Sequence, residues 1–284
     1  MDRLSTVAGL LLVFASQAGA TPVYNVSVAV LPSFPGALSP QPLESGTPGL
    51  SLSGDGEDQW GTKVSWEATA NAASLGAVAT VSMPAGGDRR VESKASFRHE
   101  VIYASIDDSP IEVVVPVHVD GSMVVGGAGL GTASVGFQVR LDGVLQTPPT
   151  PSGSAPPVYR GIALFGGDGS VFVDDFVDLV FTDVPVNVPV ELFVELVVDA
   201  HVNRLATDSG PASTATSSFG QTLEFADPNR VFILPAGVTA NSESMGLVNN
   251  SLVPANGVPE PGAVFLLLAG ALGLFATGAR PRAV

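Results

Sequence analysis

The sequence predicts an all-β protein, an antiparallel β-sandwich over roughly residues 21–250. Short runs alternate between apolar and polar residues with a period of two, and Gly, Pro, Asp and Asn bound them. Helical periodicity is nearly absent from this region. Only 14% of the 284 residues are charged, against roughly a quarter in an average protein, so the chain has few of the Glu, Lys and Arg residues of exposed helices. Successive strands without intervening helices are typical of a sandwich.

Ten segments show the alternation clearly. The first reads VYNVSVAV and is rich in valine, a β-branched residue that is enriched in strands. Ala68–Ala79 is also predicted to be extended, because Asn71 and Gly76 interrupt any helix there. The ten predicted strands are Val23–Val30, Gly76–Met83, Ala95–Ile106, Ile111–Val119, Ala133–Leu141, Val158–Phe165, Ser170–Phe181, Val188–Val202, Ser213–Phe225 and Val231–Leu234.

Three segments are predicted to be loops. Pro32–Asp58 is rich in Pro, Gly and Ser, and Gly121–Gly131 is a Gly-rich, flexible connection. Thr147–Pro157 (TPPTPSGSAPP) is the best internal break. It is either a linker between two small sandwiches or a long loop within one. Because neither half repeats the other, a single sandwich is favoured.

The N-terminus predicts a secretory signal peptide over residues 1–20. A short segment containing Arg3 precedes the apolar run Val7–Ala15, which is too short to cross a bilayer. Ala18 and Ala20 form an A-x-A cleavage site, so the mature chain would begin at Thr21. A buried N-terminal helix is the alternative, but it does not explain the small residues after the apolar run.

Near the C-terminus, Gly262–Ala279 carries no charged residue and predicts a transmembrane helix. Eighteen helical residues extend about 27 Å, close to the roughly 30 Å of a hydrocarbon core. Arg280 and Arg282 follow directly and act as the membrane stop, and the positive-inside rule keeps them in the cytoplasm. The long region before the helix is therefore placed outside.

Directly before this span stands Val258-Pro259-Glu260-Pro261, which the two prolines hold extended. The order Pro-Glu-Pro, apolar span and short Arg-rich tail resembles the PEP-CTERM sorting signal of Gram-negative bacteria, here covering residues 258–284. The resemblance implies that exosortase, an integral membrane enzyme, binds and cuts near the motif, with Glu260 in the recognition role. A permanent single-pass anchor is the alternative.

Ser217–Asn249 also resembles the end of ectodomains in this family. The resemblance rests on Phe219, Thr222, Leu223 and Phe225, followed by Leu234–Val238 and Ser242–Gly246. We expect this segment to form the closing hairpin of the sandwich, in which two strands are joined through Asp227-Pro228-Asn229 and followed by a Pro-x-Gly turn.

Composition excludes several classes of function. The chain has 12 Lys and Arg against 27 Asp and Glu, a formal net charge of −15. Nucleic acids and anionic lipid surfaces need clustered cations, so neither is an expected partner. Membrane contact is expected only through the C-terminal helix before processing. The absence of Cys excludes disulfides, Cys-zinc sites and thiol catalysis.

The sequence contains no recognisable catalytic motif. Gly126–Gly131 lacks the spacing and the lysine of a phosphate-binding loop, and no G-x-S-x-G elbow occurs. The histidines, without zinc-site spacing, are expected to face solvent from strands. The glutamates are expected at polar positions of the alternation. These residues are His99, His118 and His201, with Glu67, Glu112, Glu191 and Glu195.

Acidic clusters are the one remaining constellation. Asp55-Gly56-Glu57-Asp58 is assigned to a loop, and Asp168-Gly169 precedes a strand that contains Asp174, Asp175 and Asp178. Ca²⁺ prefers carboxylate and carbonyl oxygens, which makes Asp168, Asp174 and Asp175 weak calcium candidates. The favoured interpretation is solvated turns and strand faces, with no cofactor.

These observations predict a non-enzymatic, exported surface or extracellular-matrix protein. It would be held transiently in the inner membrane and then reach the cell surface or the medium. Signal peptidase, the export machinery and exosortase would process it. Extracellular polysaccharide or other envelope material is the expected partner, since by resemblance such anchors occur in producers of extracellular polymer and biofilm. A secreted glycan-active hydrolase and a calcium-stabilised adhesion domain are the alternatives.

Overall fold

The computed structural model describes residues 21–31, 42–141, 146–147, 158–165 and 167–253. Every regular element in these ranges is a β-strand, and every pairing is antiparallel. The described ranges accordingly hold no helix of the length and apolarity that a membrane crossing requires. The all-β, antiparallel prediction is confirmed for this part of the chain. The predicted signal peptide and the span 262–279 lie outside it.

Sixteen strands follow one another along the described chain. They are β1 (Val23–Leu31), β2 (Leu43–Ser45), β3 (Leu50–Glu57), β4 (Lys63–Ala70), β5 (Ser74–Met83), β6 (Gly87–Ala104), β7 (Ile111–Gly126), β8 (Leu130–Leu141), β9 (Gln146–Thr147), β10 (Val158–Phe165), β11 (Gly169–Val184), β12 (Pro189–Arg204), β13 (Ser213–Phe225), β14 (Thr239–Asn241), β15 (Leu247–Val248) and β16 (Ser251–Leu252).

The strands form two large sheets and one small hairpin. Sheet A has the order β10-β8-β12-β6-β1-β2, and β14 also pairs with β6. Sheet B has the order β3-β4-β5-β13-β7-β11-β9, and β15 pairs with β16. Strands that precede and follow the Pro-rich segment 147–157 alternate in both sheets: β12 lies between β8 and β6, and β13 lies between β5 and β7.

The two sheets pack face to face over one apolar core. Along β12, the alternate residues from Val190 to Val202 are buried, as the period of two requires. Tyr24, Phe97 and Phe219 are among the largest fully buried side chains. The Ser217 hydroxyl of sheet B donates to the Ser134 carbonyl of sheet A at 2.9 Å, so the sheets are in direct contact there.

Glycines in the predicted loop 121–131 serve close packing instead of flexibility. Gly121–Gly126 belongs to β7, and a Cβ on Gly121 would lie 2.5 Å from the ring of Phe219. The chain turns at Gly127, which has a φ of 98° and where a Cβ would lie 2.2 Å from the Ala212 carbonyl oxygen. The loop prediction is therefore correct only for the turn between β7 and β8.

Two other loop and strand predictions need correction. Within Pro32–Asp58, the structure has the strands β2 and β3. The sequence LSLSGDGE of β3 has low strand propensity, but β4 supplies a complete backbone ladder for it. Ala68–Ala79 contains the end of β4 and the start of β5, with residues 71–73 turning between them.

The segment after Phe225 does not form the expected closing hairpin. The Asp227–Asn229 turn is present, because the Asn229 amide donates to the Asp227 carboxylate at 2.8 Å. Val231–Leu234 then forms a single bridge, between Ile233 and Val114, instead of a strand. The chain crosses to sheet A as β14 after a turn at Pro235, where the Val238 amide donates to its carbonyl at 3.2 Å.

Candidate functional site

The outward-facing side of sheet B is covered by rows of small hydroxyl side chains. Ser65 lies opposite Thr80, and Thr80 lies opposite Thr216. Adjacent strands are about 4.8 Å apart, so these hydroxyls form a closely spaced array. We call this array the hydroxyl rows, comprising Ser65, Thr80, Ser82, Thr214, Thr216, Ser218 and Ser122.

None of the hydroxyl rows' side-chain oxygens bonds to another protein group within the described residues. The hydroxyls of the inner face differ from them, since the buried Ser93 and Ser217 each donate to a backbone carbonyl of the facing sheet. The outward hydroxyls are partly exposed and keep their hydrogen-bonding capacity for water or a ligand.

One of the hydroxyl rows ends at an exposed aromatic ring on β11, and a second exposed ring lies further along the same strand, opposite His118. Ser218 lies opposite Ser122, and Ser122 lies opposite Phe172. Phe172 is 80% exposed and Phe176 is 69% exposed. They are four positions apart on one strand face, which places them about 13 Å apart. The sequence VFVDDFVD does not predict that these rings are exposed, because the sequence pattern does not distinguish an outward phenylalanine from a core phenylalanine.

His118 is held against Phe176 between two carboxylates. Its Nε2 lies 2.8 Å from Asp174 Oδ1, and its Nδ1 lies 3.6 Å from Glu224 Oε1. The imidazole stacks on the Phe176 ring at 4.3 Å between centroids and 14° between planes. The hydrogen bond to Asp174 raises the pKa of His118, against the opposing effect of burial, and Glu224 raises it further. We call Phe172, Phe176, Asp174, His118 and Glu224 the aromatic patch.

At the opposite edge of sheet B lies a shallow depression of about 320 Å³. Its polar lining includes Lys63, whose Nζ lies 3.8 Å from Glu57 Oε2. The outward side chains that line it are Asp55, Glu57, Lys63, Ser65, Thr80 and Ser82. The predicted acidic loop 55–58 is therefore wrong for Asp55 and Glu57, which belong to β3 and are exposed.

Asp58 alone of that cluster lies in a turn, and it organises the turn. Its Oδ1 accepts from the amides of Trp60 and Thr62, both at 2.9 Å. Burial raises the pKa of Asp58, but these hydrogen bonds and the Arg89 guanidinium together lower it below its ordinary value. The turn presents Trp60, which is 56% exposed, beside the depression.

The outward face of sheet B is strongly acidic. Lys63 is the sole lysine or arginine among its described outward residues. The carboxylates on the same face are Asp55, Glu57, Glu67, Glu112, Asp120, Asp174, Asp178 and Glu224. This charge excludes polyanions from the face and leaves it open to neutral or cationic molecules.

The three calcium candidates are not brought together. Asp174 faces outward and binds His118, whereas Asp175 is the next residue and points to the other side of the sheet. Asp168 precedes β11, about 20 Å along the strand from Asp174, and its Oδ1 accepts from the Gly127 amide at 3.2 Å. In the ranges that the structure covers, no three His, Asp or Glu side chains are arranged to hold a metal ion.

One of the three histidines is not at the solvent-facing position expected for it. His99 is buried, with Nδ1 3.0 Å from the Ser244 hydroxyl oxygen and Nε2 3.4 Å from the Tyr24 hydroxyl oxygen. Burial lowers its pKa to about 4. His99 shares its strand parity with Phe97 and Val101, which is the signal that would have placed it inside.

The other two histidines and three of the four glutamates are at least partly exposed, as expected. His201 is partly exposed and its Nε2 lies 2.6 Å from Asp88 Oδ1. Glu195 is the exception among the glutamates. It is buried on the outward side of sheet A by Lys94 and Gln138, which both bind its carboxylate.

The predicted sorting and processing residues lie outside the described residues, apart from Thr21. Thr21 is the first described residue and is exposed. They are Ala18, Ala20, Val258, Pro259, Glu260, Pro261, Arg280 and Arg282. In comparisons with known proteins, the sequence matches no family model and no curated protein.

Proposed function

We propose that the protein is an exported, non-enzymatic surface or extracellular-matrix protein that binds polysaccharide through the outward face of sheet B. The observation that carries this proposal is the array of unpartnered hydroxyls beside two exposed phenylalanine rings, one of which lies in register with a hydroxyl row. Exposed large apolar side chains on a rigid sheet are characteristic of interaction surfaces.

The chemistry of the face fits a neutral sugar polymer. A sugar ring has apolar C–H faces, which pack on the rings of Phe172 and Phe176, and hydroxyl edges, which need donors and acceptors. Ser, Thr and carboxylate oxygens of the face supply those partners. Because binding exchanges water hydrogen bonds for protein ones, each contact contributes little, and affinity comes from many contacts along a chain.

The proposed location rests on the signals predicted at the two ends of the sequence. The signal peptide and the Pro-Glu-Pro signal support export, transient anchoring in the inner membrane and release or transfer by exosortase. The last described strand ends at Leu252, a few residues before Val258. The sorting motif therefore follows the folded region closely, and cutting there would leave both large sheets intact.

The carboxylates of the depression favour binding over hydrolysis. A glycoside hydrolase needs a general acid whose pKa is raised, which usually requires a buried carboxyl group. Asp55 and Glu57 are both exposed, and Glu57 faces Lys63. Hydrolysis of glycans remains the second outcome that the experiment below distinguishes.

The test uses the full chain in a nonionic detergent, by affinity electrophoresis through gels containing dextran, laminarin or soluble starch. We expect at least one of these neutral polymers to retard the protein. The double variant F172A/F176A should lose most of that retardation, at least fivefold in apparent affinity, because both stacking surfaces are removed.

The matched control is I106A/V248A, which removes two exposed apolar side chains elsewhere on the surface. It should bind as the wild type does. Unchanged binding by F172A/F176A, or no retardation by any of the three polymers, would contradict the proposal. Release of reducing sugar from these polymers would replace it with the hydrolase.

A further inference from the structure

The outward face of sheet A carries a row of two arginines around a phenylalanine. Phe193 of β12 lies directly opposite Arg98 of β6 on one side and Arg140 of β8 on the other. The guanidinium carbons lie 5.0 Å and 5.3 Å from the centroid of the ring. Both cations therefore stack on one aromatic side chain and lie at most about 10 Å apart.

These two charges differ from the other cations of the same face. Arg90 binds the carboxylates of Asp199 and Glu92, and Lys94 binds that of Glu195. Arg140 contacts no carboxylate within the described residues. Its guanidinium instead donates to the side-chain oxygen of Gln138 at 2.7 and 3.2 Å.

Arg98 is nearly as free. It reaches Glu191 at 4.0 Å, with both side chains at least half exposed. A contact of this length in water contributes little and neutralises little. In a protein of net charge −15, two adjacent, weakly neutralised guanidinium groups are a local exception.

The surrounding contacts hold the row in place. Glu195 is buried, and its Oε1 accepts from Gln138 Nε2 at 2.6 Å. Gln138 in turn accepts from Arg140, and Phe193 is half-buried between the two arginines. These contacts position the Arg140 guanidinium before any ligand binds, while Arg98 is held by its contact with the Phe193 ring. Pre-positioned groups lose less conformational entropy on binding.

We propose that Arg98, Phe193 and Arg140 form a second binding site, whose ligand is a polysaccharide bearing carboxylate groups. A guanidinium fork binds a carboxylate through two parallel hydrogen bonds, and two forks accept two carboxylates of one polymer. Nucleic acid needs a longer stripe of cations than two residues supply. The site is independent of the neutral-sugar face, because it lies on the other sheet.

The test measures binding of the full chain in nonionic detergent to polygalacturonate and to its fully methyl-esterified form. The two polymers share a backbone and differ in charge. We expect polygalacturonate to bind in a salt-sensitive manner, since the contacts are ionic and exposed. R98Q/R140Q should bind it about five- to tenfold more weakly, and the methyl ester should show no difference between the variant and wild type.

The control is R90Q/R230Q, which removes the same net charge from a paired arginine of sheet A and from an exposed loop arginine. It should retain at least half of the wild-type affinity, and thermal melting should show that both double variants are folded. Equal losses in the two variants would overturn the proposal, because net charge alone would then explain binding. Failure to bind polygalacturonate would also overturn it, while the neutral-polymer experiment tests the sheet B face separately.

Discussion

Arg204 provides the sharpest test of how this fold is held together. It ends β12, is 5% exposed, and has no carboxylate partner among the described residues. Its guanidinium donates instead to four backbone carbonyls, those of Met83, Pro211, Asp208 and Gly210, at 3.3, 2.6, 3.1 and 3.1 Å. One side chain thus ties the loop between β12 and β13 to the end of β5.

The cost of Arg204→Ala follows from these contacts. A hydrogen bond from a charged donor contributes about 1.5–3 kcal/mol net. The carbonyls of the exposed loop regain water when the guanidinium is lost, whereas the Met83 carbonyl lies at a buried residue. Replacing Arg204 also removes the free-energy cost of keeping a charged group out of water, which offsets part of the loss. The balance predicts a loss of about 3–5 kcal/mol in the free energy of unfolding.

Urea unfolding of the full chain in nonionic detergent measures this loss through the fluorescence of Trp60 and Trp66. The midpoint should fall while the slope with denaturant stays the same, since the surface exposed on unfolding is unchanged. Arg230→Ala, an exposed arginine, is the control and should change stability by less than about 0.5 kcal/mol. A loss below about 1 kcal/mol for Arg204→Ala would refute the reasoning.

Three further predictions concern His99, Gly121 and Glu260. The folded pKa of His99 is about 4, below its ordinary 6.5. The stability that depends on neutral His99 is therefore complete above pH 6.5 and is lost as the pH falls through 4, by about 3 kcal/mol in the free energy of unfolding. Urea unfolding at a series of pH values should show this loss in the wild type and not in His99→Gln. Gly121→Ala should destabilise the fold by about 2–3 kcal/mol, because its Cβ would lie 2.5 Å from Phe219, whereas Gly220→Ala, with 3.8 Å to its nearest neighbour, should be nearly neutral in the same assay. Glu260→Ala should leave the precursor in the inner membrane of its host, and mass spectrometry that finds intact Phe265–Arg280 peptides in most wild-type surface protein would contradict processing.

The strands with a regular period of two were predictable because nearly all of their apolar residues face the core. In Ala95–Ala104 of β6, burial of every second residue produces both the sequence pattern and the strand, whereas Ile106, at the end of the predicted segment, lies outside the strand and is exposed. Val231–Leu234 has a similar composition but does not form a strand. Asn250 satisfies the backbone groups of this segment instead of a neighbouring strand. The Asn250 carbonyl accepts from the Val231 amide, and the Asn250 side chain bonds to the amide and the carbonyl of Phe232.

The edge strand β3 shows the opposite case. Its Gly, Ser and Asp residues have low strand propensity, and its extended form depends on the ladder with β4. The ladder is a property of the pair of strands, so the sequence of β3 by itself predicts a loop. The same limit applies to Asp55 and Glu57, whose exposure on a sheet face follows from that pairing.

By itself, the sequence determined the all-β class, most strand positions and the alternation that separates the two faces of each strand, because these depend on residues close together in the chain. Only the tertiary structure decided which strands are neighbours and in which register. The hydroxyl rows join β4, β5, β13 and β7, and the Arg98–Phe193–Arg140 row joins β6, β12 and β8. Both surfaces consist of residues distant in the sequence, and non-local backbone pairing with burial of the shared core brings them together.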